Sequence, residues 1–321
     1  MESATLQRPR PLPPATQVVL IGLLVVAAIL AWTVTDDRMS GMDAGPGTEL
    51  GDLGWFIGVW VVMMAAMMFP SIWPMVLTYR RVDASRKERG KPTGAVAVPA
   101  FVGGYLVAWT GAGLVFYAVV ELFRSADLGF LAWEEAGQYI AGGVILAAAI
   151  YQLTPLKDAC LRRCRSPLMF ILNSWRPGNV GALRMGVEHG LWCVGCCWGL
   201  MAALLALGVM SIGWMALIAA LIAVEKLLPW RAVASGIVTA SLFVLAIGLL
   251  AAPEDVPGLT VPGSPEAQEA MEAMGMEGGT MSEEAMPADQ GAMPASDDAM
   301  PAEKDAMPAH EGGMDGEMQM P

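Results

Sequence analysis

The sequence predicts an all-α, polytopic transmembrane helix bundle of about seven spans, followed by a disordered C-terminal tail. Three observations lead to this fold class: long apolar runs without charge, alternating basic and acidic segments between them, and a change of composition near residue 252. Hydrophobic residues make up 55% of the chain and are concentrated in the uncharged runs. A soluble protein with this pattern would have too little polar surface.

The uncharged runs set the number of spans. Segments without Asp, Glu, Lys or Arg cover 11–35, 53–79, 92–120, 136–156, 189–224 and 232–253. One helix over 189–224 would be about 54 Å long, against a hydrocarbon core of about 30 Å. Gly208, Ser211 and Gly213 lie in its middle, so we expect two helices joined by a tight turn near 209–212. The predicted spans lie near 17–35, 55–78, 97–120, 137–154, 186–208, 212–229 and 232–252.

Charged residues between the runs predict the orientation, because Lys and Arg are enriched in cytoplasmic loops. The basic segments are 1–16, 80–91, 157–184 and 226–231, and the acidic segments are 36–52 and 121–135. This alternation predicts a multi-pass protein of the bacterial inner membrane with a cytoplasmic N-terminal segment and a tail on the periplasmic side.

The first span, 17–35, has an alternative interpretation as a cleaved signal peptide, because an Arg-bearing start precedes its apolar stretch. No small-residue cleavage site in a polar context follows it, which favours a membrane anchor. The later spans keep their orientation in either case, and the transmembrane domain is expected to cover 17–252.

The tail, 253–321, differs from the rest of the chain in charge and composition. Between Ala252 and Pro321 lie 16 acidic residues and one lysine, which contribute −15 to the formal net charge of −12 and leave +3 for the remainder. The tail has no aromatic residue and is rich in Pro and Gly, so it is predicted to be disordered. Its AMPA repeats place Met every seven residues, and the repeated proline excludes a coiled coil.

The tail methionines predict metal capture outside the membrane. Thioethers are soft ligands suited to Cu(I), and the neighbouring carboxylates and His310 suit Cu(II). Several weak sites on one tether raise the effective concentration of ligand. A purely solvating tail is the alternative, but it does not explain 11 Met residues in 271–321, since Ala or Ser would solvate as well. The capture residues are Met286, Met293, Met300, Met307, Met314 and His310.

The second predicted span carries a stripe of thioethers. On a helix, Met64, Met67, Met68 and Met75 fall within about 100° of one another, together with Ser71, over a length of about 16 Å. Such a stripe suits Cu(I). The alternative is that Met only fills gaps between helices, although Pro70 and Pro74 are expected to bend this span.

The fifth predicted span carries a ladder of soft donors. His189, Cys193, Cys196 and Cys197 lie within about 100° on one helix face, and Met201 lies one turn further on. Thiolates at this spacing can hold Cu(I) or Zn²⁺. Two alternatives are open: buried cysteines that only pack, and a thiol–disulfide relay through Cys193 and Cys196.

Pairs of glycines flank these donors on the same span. Gly186 and Gly190, and Gly195 and Gly199, are small-xxx-small pairs that predict close helix packing. The Met-rich second span is the suggested partner on the Cys face.

Several further residues near the basic side could take part. Cys160 and Cys164, four residues apart, predict either a cytoplasmic hand-off point for metal or two small apolar residues of an interfacial helix. Ionisable groups inside spans usually have a purpose. Glu188 and Glu225 are candidates for orienting a ligand or relaying a proton, whereas Lys226 is interpreted as a structural ion pair or a lipid-facing side chain.

These segments also resemble a known family. The matching stretches are "WVVMMAAMMFPS", "YQLTPLKDACLRRCRSPLMF", "GALRMGVEHGLWCVGCCWGLM" and the pair "GVMSIGWMA" and "AVEKLLPW". Over about 55–250 they are similar to the bacterial family of predicted metal-binding integral membrane proteins, a domain of unknown function with a Gly-Cys-Cys-Trp core. The resemblance implies a multi-span membrane protein with a metal role, and no settled reaction.

The sequence thus supports a membrane protein that binds Cu(I), with zinc as the second candidate metal, for transport or for delivery to a cuproenzyme. A membrane thiol oxidoreductase subunit that uses the Cys cluster, and a scaffold in which Met and Cys only pack, stay open. No catalytic residue is identified. The expected partners are membrane lipids, metal ions and a copper chaperone or cuproenzyme, and no nucleic acid.

Overall fold

A computed structural model describes residues 12–40, 43, 50–125 and 136–273. Those residues form ten α-helices and no strand. Of the two compact units of the chain, Met1–Gly278 and Gly279–Pro321, the second lies outside the described residues. The helices are α1 (Pro14–Met39), α2 (Leu53–Glu88), α3 (Ala97–Ser125), α4 (Gln138–Gln152), α5 (Pro155–Cys164), α6 (Pro167–Ser174), α7 (Gly178–Leu207), α8 (Ile212–Leu227), α9 (Arg231–Ala251) and α10 (Pro265–Ala273).

Five of these helices are long and apolar enough to cross a membrane: α1, α2, α3, α7 and α9. α4 and α5 pass the same test only as a pair, and they are bent by 69° where they meet. α8 is shorter, with 16 residues. Each predicted span overlaps one of α1–α4 or α7–α9, although the helix ends differ from the predicted bounds. The predicted all-α bundle is therefore confirmed, and its helices are consistent with about seven spans of a membrane protein.

The long uncharged run 189–224 is divided into two helices, as predicted. α7 ends at Leu207 and α8 begins at Ile212. Gly208 has a φ of 109°, a backbone conformation that glycine adopts without a steric penalty because it has no Cβ. The backbone N–H of Ser211 then donates to the carbonyl of Gly208 at 3.2 Å. Glycine at this position therefore lets the chain leave α7 and enter α8 within a few residues.

α2 continues from Leu53 to Glu88 across Pro70 and Pro74. A proline inside a helix removes one backbone hydrogen bond and crowds the preceding turn. Ser71 donates to the carbonyl of Met68 at 2.8 Å, and Thr78 donates to that of Pro74 at 2.7 Å. Helices in membranes tolerate proline where neighbouring helices and hydroxyl groups support the backbone. The methionines of α2 are thus carried on one uninterrupted helix.

The glycine pairs of α7 bring in helices other than the predicted one. A Cβ at Gly186 would overlap the carbonyl oxygen of Phe101 in α3, and one at Gly190 would lie 2.6 Å from the Cβ of Ala108. Further along α7, Gly199 faces Tyr151 of α4. The suggestion that the Met-rich α2 packs on these glycines is wrong, because α3 and α4 occupy that close contact.

The α3–α7 contact yields a first prediction, from two adjacent glycines of α3. A Cβ at Gly104 would overlap the carbonyl oxygen of Leu183, whereas a Cβ at Gly103 meets nothing within 4 Å. We expect Gly104→Ala to destabilise the protein by roughly 1–3 kcal/mol, because α3 and α7 must separate. Gly103→Ala should be neutral or slightly stabilising, since Ala favours helix. Thermal unfolding of both variants in detergent tests this, and equal melting temperatures would contradict it.

The short helix α5 is fixed between α7 and α8. Its first turn is capped by Thr154, whose hydroxyl accepts from the backbone N–H of Lys157 at 3.3 Å. The Lys157 side chain is buried and forms an ion pair with Glu225 of α8. Arg165, which follows α5, donates to the backbone carbonyl of Glu225 at 2.9 Å. These bonds hold the end of α5 at α8.

Ordered structure continues beyond the last predicted span. A 3-10 turn, Pro253–Asp255, follows α9, and α10 comes next. Val256 and Leu259 are buried against the main core. Ala273 is therefore the last helical residue described, whereas the predicted disordered tail begins at residue 253.

Candidate metal centre

Four cysteines from two helices form a compact group, which we call the thiol cluster: Cys164 at the end of α5, and Cys193, Cys196 and Cys197 of α7. The Sγ atom of Cys196 lies 3.5 Å from that of Cys164 and 3.5 Å from that of Cys197. The sulfur atoms of Cys164, Cys193 and Cys196 all lie within 4.8 Å of one another. The three α7 cysteines are buried and Cys164 is partly exposed. Side chains three or four residues apart share a helix face, which explains the α7 part of the cluster.

The position of Cys164 was not expected from the sequence, which groups it with Cys160 at a separate cytoplasmic point. The bend between α4 and α5, together with the contact of α5 with α7, brings Cys164 to the α7 thiols. Cys160 is buried on the same helix, where a Cβ at Gly195 would lie 3.0 Å from its Sγ. It is not one of the three closely grouped thiols. The two α5 cysteines therefore have different surroundings.

Cys193 also contacts two polar groups from other helices. The ammonium group of Lys226 lies 2.9 Å from its Sγ, and the hydroxyl of Tyr105 lies 3.0 Å from it. Lys226 also contacts the hydroxyl of Ser71 at 3.3 Å and the Sδ of Met68 at 3.8 Å. The interpretation of Lys226 as a lipid-facing side chain is wrong, because its ammonium group points at a thiol inside the bundle. The other interpretation, a structural ion pair, is left with Cys193 as the partner. An ammonium group at this distance is a counterion for a thiolate.

The roles of these two partners were not predicted from the sequence. A role for Lys226 could have been predicted, because an ionisable residue within a span marks a functional site by default. A role for Tyr105 could not, because Tyr105 is one more aromatic residue in an apolar helix, and only the packing of α3 on α7 brings it to Cys193.

The methionine stripe of α2 lies partly at the thiol cluster. Met64, Met67 and Met68 are buried in the same core as the α7 cysteines. Met68 is linked to the cluster through Lys226. Met75 belongs to a different apolar cluster, with Tyr79 and Phe101, and lines a cavity beside Cys164.

Met201 lies on α7 and is buried in the same core as Cys197, one turn further along the helix. The thioethers of α2 and α7 therefore enter the same core as the thiols, and Met75 is the exception.

His189 lies one turn before Cys193 on α7 and is buried. Its ring packs among Phe101, Tyr105 and Phe170, with centroid distances of 6.0, 5.8 and 5.3 Å. Its Nδ1 atom has no hydrogen-bond partner. Buried polar atoms normally have one, so His189 retains a free donor or acceptor next to the thiols.

A cavity of about 300 Å³ reaches the thiol cluster between α2, the α5–α6 junction and α8. Its lining includes Cys164, His189, Lys226, Met75 and Arg165. We call it the thiol cavity. A small molecule that enters it meets Cys164 before the buried cysteines of α7.

The two candidate carboxylates lie elsewhere. Glu188 accepts a hydrogen bond from the hydroxyl of Ser174 at 2.8 Å and lines a different cavity with Arg162 and Arg163. Glu225 is paired with the buried Lys157. Within the described ranges, the three grouped thiols are accompanied by no carboxylate ligand.

The predicted capture residues of the tail, from Met286 to Met314 and including His310, lie outside the described residues.

The possible metal ligands inside the bundle are sulfur atoms, with one histidine nearby. Thiolate, thioether and imidazole are the ligands that Cu(I) and Zn²⁺ prefer, and they suit Mg²⁺ or Ca²⁺ poorly. The residues present fit a soft metal ion.

Comparison with known proteins gives one match. Neither the curated proteins nor the solved structures include one that matches the chain. A family model described as PpoB2, copper chaperone, matches residues 57–249. This segment contains all four residues of the thiol cluster, with Lys226 and Tyr105. Because the match covers more than half of the chain, the chain belongs to the PpoB2 copper chaperone family.

Proposed function

We propose that this protein is a membrane-embedded copper-handling protein that binds Cu(I) at the thiol cluster and delivers it to a carrier or a cuproenzyme. The observation that carries the proposal is the grouping of Cys164, Cys193 and Cys196 within 4.8 Å. Cys193 and Cys196 are buried, Cys164 is partly exposed, and no carboxylate of the described residues joins the group. Cu(I) is a soft monovalent ion that thiolates select. The copper chaperone description of the family supports the same metal.

Charge balance supports a monovalent ion at this position. A buried charge is costly unless it is compensated. Cu(I) bound by two thiolates carries a net charge of −1, which the ammonium group of Lys226 neutralises. The third grouped thiol can then remain protonated or replace one of the first two during exchange. Zinc is the second candidate metal. A structural zinc site normally has four ligands, so Cys197 or His189 would have to join the three grouped thiols.

The thiol cavity supports delivery. Cys164 is the partly exposed member of the cluster and lines this cavity, whereas Cys193, Cys196 and Cys197 are buried. A thiol of an incoming carrier would bind the ion from the side of Cys164, give up its proton and displace the Cys164 thiolate, which takes up that proton. The ion would thus pass to the carrier one sulfur ligand at a time. Arg165 also lines the cavity, and its positive charge suits a carrier with negative charge. Transport across the membrane remains the second form of the same function, in which the ion continues along the thioethers of α2.

We further propose an orientation in the membrane and a copper-collecting role for the tail. The alternation of charge supports a bacterial inner membrane location with the basic loops in the cytoplasm. In that arrangement the tail methionines from Met286 to Met314, with His310, collect copper on the periplasmic side. The thioethers Met64, Met67 and Met68, with Met201, provide weaker sites next to the thiol cluster.

Metal content after loading tests the proposed function. We expect full-length reduced protein, loaded with Cu(I) and washed with a weak chelator, to retain several copper ions per chain. A chain truncated after Ala273 should retain about one, because only the bundle site remains. The measurement is copper and zinc per protein by mass spectrometry. If the full-length protein retains neither metal, the proposal fails, and the thiol oxidoreductase or the packing scaffold becomes the better explanation.

A further inference from the structure

A larger cavity, of about 720 Å³, lies between α1, α2 and α3, and none of the five cysteines lines it. One end is polar and the rest is apolar. The polar end contains Arg80, Asp83, Lys87 and Thr93. The apolar part includes Leu20, Leu23, Leu24, Phe69, Val98 and Val102. Leu23 is largely exposed, so the apolar part is open to the surroundings of the bundle.

Asp83 is the unusual residue of the polar end. It is only 4% exposed. Its Oδ2 atom lies 3.4 Å from a guanidinium nitrogen of Arg80, but its Oδ1 atom is buried without any hydrogen-bond partner. A buried carboxylate oxygen without a donor is costly. The position therefore suits a ligand that brings an N–H or O–H group to Oδ1.

The neighbouring basic residues divide into two sets. Arg81 donates to the side chain of Gln17 at 2.8 Å, and Arg86 stacks over Trp175 at 4.9 Å, so both are engaged within the protein. Arg80 and Lys87 instead line the cavity beside Asp83. The polar end consequently offers two cations and one carboxylate, which complement a headgroup that carries both signs of charge.

The length of the cavity matches one leaflet of a bilayer. Along α2, Phe69 and Asp83 are separated by about 21 Å at 1.5 Å per residue. Half of a bilayer, headgroups included, is roughly 20–22 Å thick. The charged end also begins where the uncharged run 53–79 ends. An amphiphile with its headgroup at Asp83 would thus have its chain beside Phe69.

We propose that this cavity binds a phospholipid whose headgroup joins a primary ammonium group to a phosphodiester, as in phosphatidylethanolamine. The ammonium group donates to Oδ1 of Asp83. The phosphodiester accepts from Arg80 and Lys87, and an acyl chain lies along Leu20, Leu24 and Phe69. This lipid site uses no thiol and is independent of the proposed copper function, so either can fail without the other.

Lipid competition tests the proposal on the wild-type full-length protein. The protein is reconstituted in nanodiscs with equal amounts of phosphatidylethanolamine, phosphatidylcholine and phosphatidylglycerol, released, and its retained lipids are counted by native mass spectrometry. Phosphatidylcholine has the same phosphodiester but no N–H group. We expect about one retained phosphatidylethanolamine per chain and roughly a tenfold preference, the size of one hydrogen bond to a charged group. Equal retention of phosphatidylethanolamine and phosphatidylcholine would overturn the proposal.

Two variants assign the preference to Asp83. Asp83→Asn removes the carboxylate charge and should abolish most of the preference. Glu88→Gln makes the same change at an exposed position of the same helix outside the cavity and should keep it. Copper content should be equal in all three proteins. A preference for phosphatidylethanolamine that survives in Asp83→Asn would overturn the assignment. Stronger retention of phosphatidylglycerol than of either other lipid would also overturn it, because that result indicates an anion site made by Arg80 and Lys87 alone.

Discussion

Replacing Cys196 with serine is expected to weaken Cu(I) binding by the bundle roughly a hundredfold or more. Structural metal sites gain on the order of 10–16 kcal/mol from about four ligands, so one ligand contributes several kcal/mol. Cys196 lies at the centre of the thiol cluster, 3.5 Å from the sulfur atoms of both Cys164 and Cys197. A serine hydroxyl is a hard oxygen ligand that stays protonated, and it replaces none of this binding. Competition of the reduced, full-length protein with a strong colorimetric Cu(I) chelator measures the change.

Cys160→Ser is the matched control for this substitution. Cys160 is also a buried cysteine that faces α7, but it is not among the three grouped thiols. We expect the affinity of the Cys160→Ser protein for Cu(I) to stay within a few-fold of that of the wild type. Equal losses in the two variants would mean that general disruption of packing, and not loss of a ligand, explains the first result. If Cys196→Ser keeps its copper affinity but loses a thiol–disulfide exchange activity, the oxidoreductase alternative is supported instead.

Lys226→Leu should produce the second-largest effect, a fall in Cu(I) affinity of about 10- to 100-fold, the range found when groups that support metal ligands are removed. The ammonium group of Lys226, 2.9 Å from Cys193, compensates the charge of a buried thiolate complex. Leucine is apolar and offers neither a charge nor an atom that binds the metal. Without the counterion, the net negative charge of the loaded site must be buried alone, which is costly. The same chelator competition measures the change.

Two further measurements separate this electrostatic role from a packing role. Lys226→Arg retains the positive charge and should recover a large part of the lost affinity. Thermal unfolding of the copper-free proteins shows whether the fold is affected. A melting temperature that falls in Lys226→Leu, with an unchanged copper affinity, would assign Lys226 to structure only.

The helices could be predicted from the sequence because their signals are local. The length of an uncharged run indicates a span, and the predicted spans 55–78 and 97–120 lie within α2 and α3. Gly208 identified the break between α7 and α8 because only glycine adopts its backbone conformation without strain. The sequence signal was weaker at the bend between α4 and α5. There the apolar run ends near Thr154 and Pro155, and the polar helix that follows reads as a loop beyond the span.

The candidate site could likewise be predicted only in part from the sequence. By itself the sequence determined the chemistry of α7: Cys193, Cys196 and Cys197 share a face because helical periodicity relates residues of one helix to each other. Periodicity carries no information about which other helix meets that face. The tertiary structure decided that Cys164 joins these thiols, that Lys226 faces Cys193, and that α3 takes the glycine contact. Each of these depends on long-range packing, through the bend before α5, the turn between α7 and α8, and the fit of backbone against glycine.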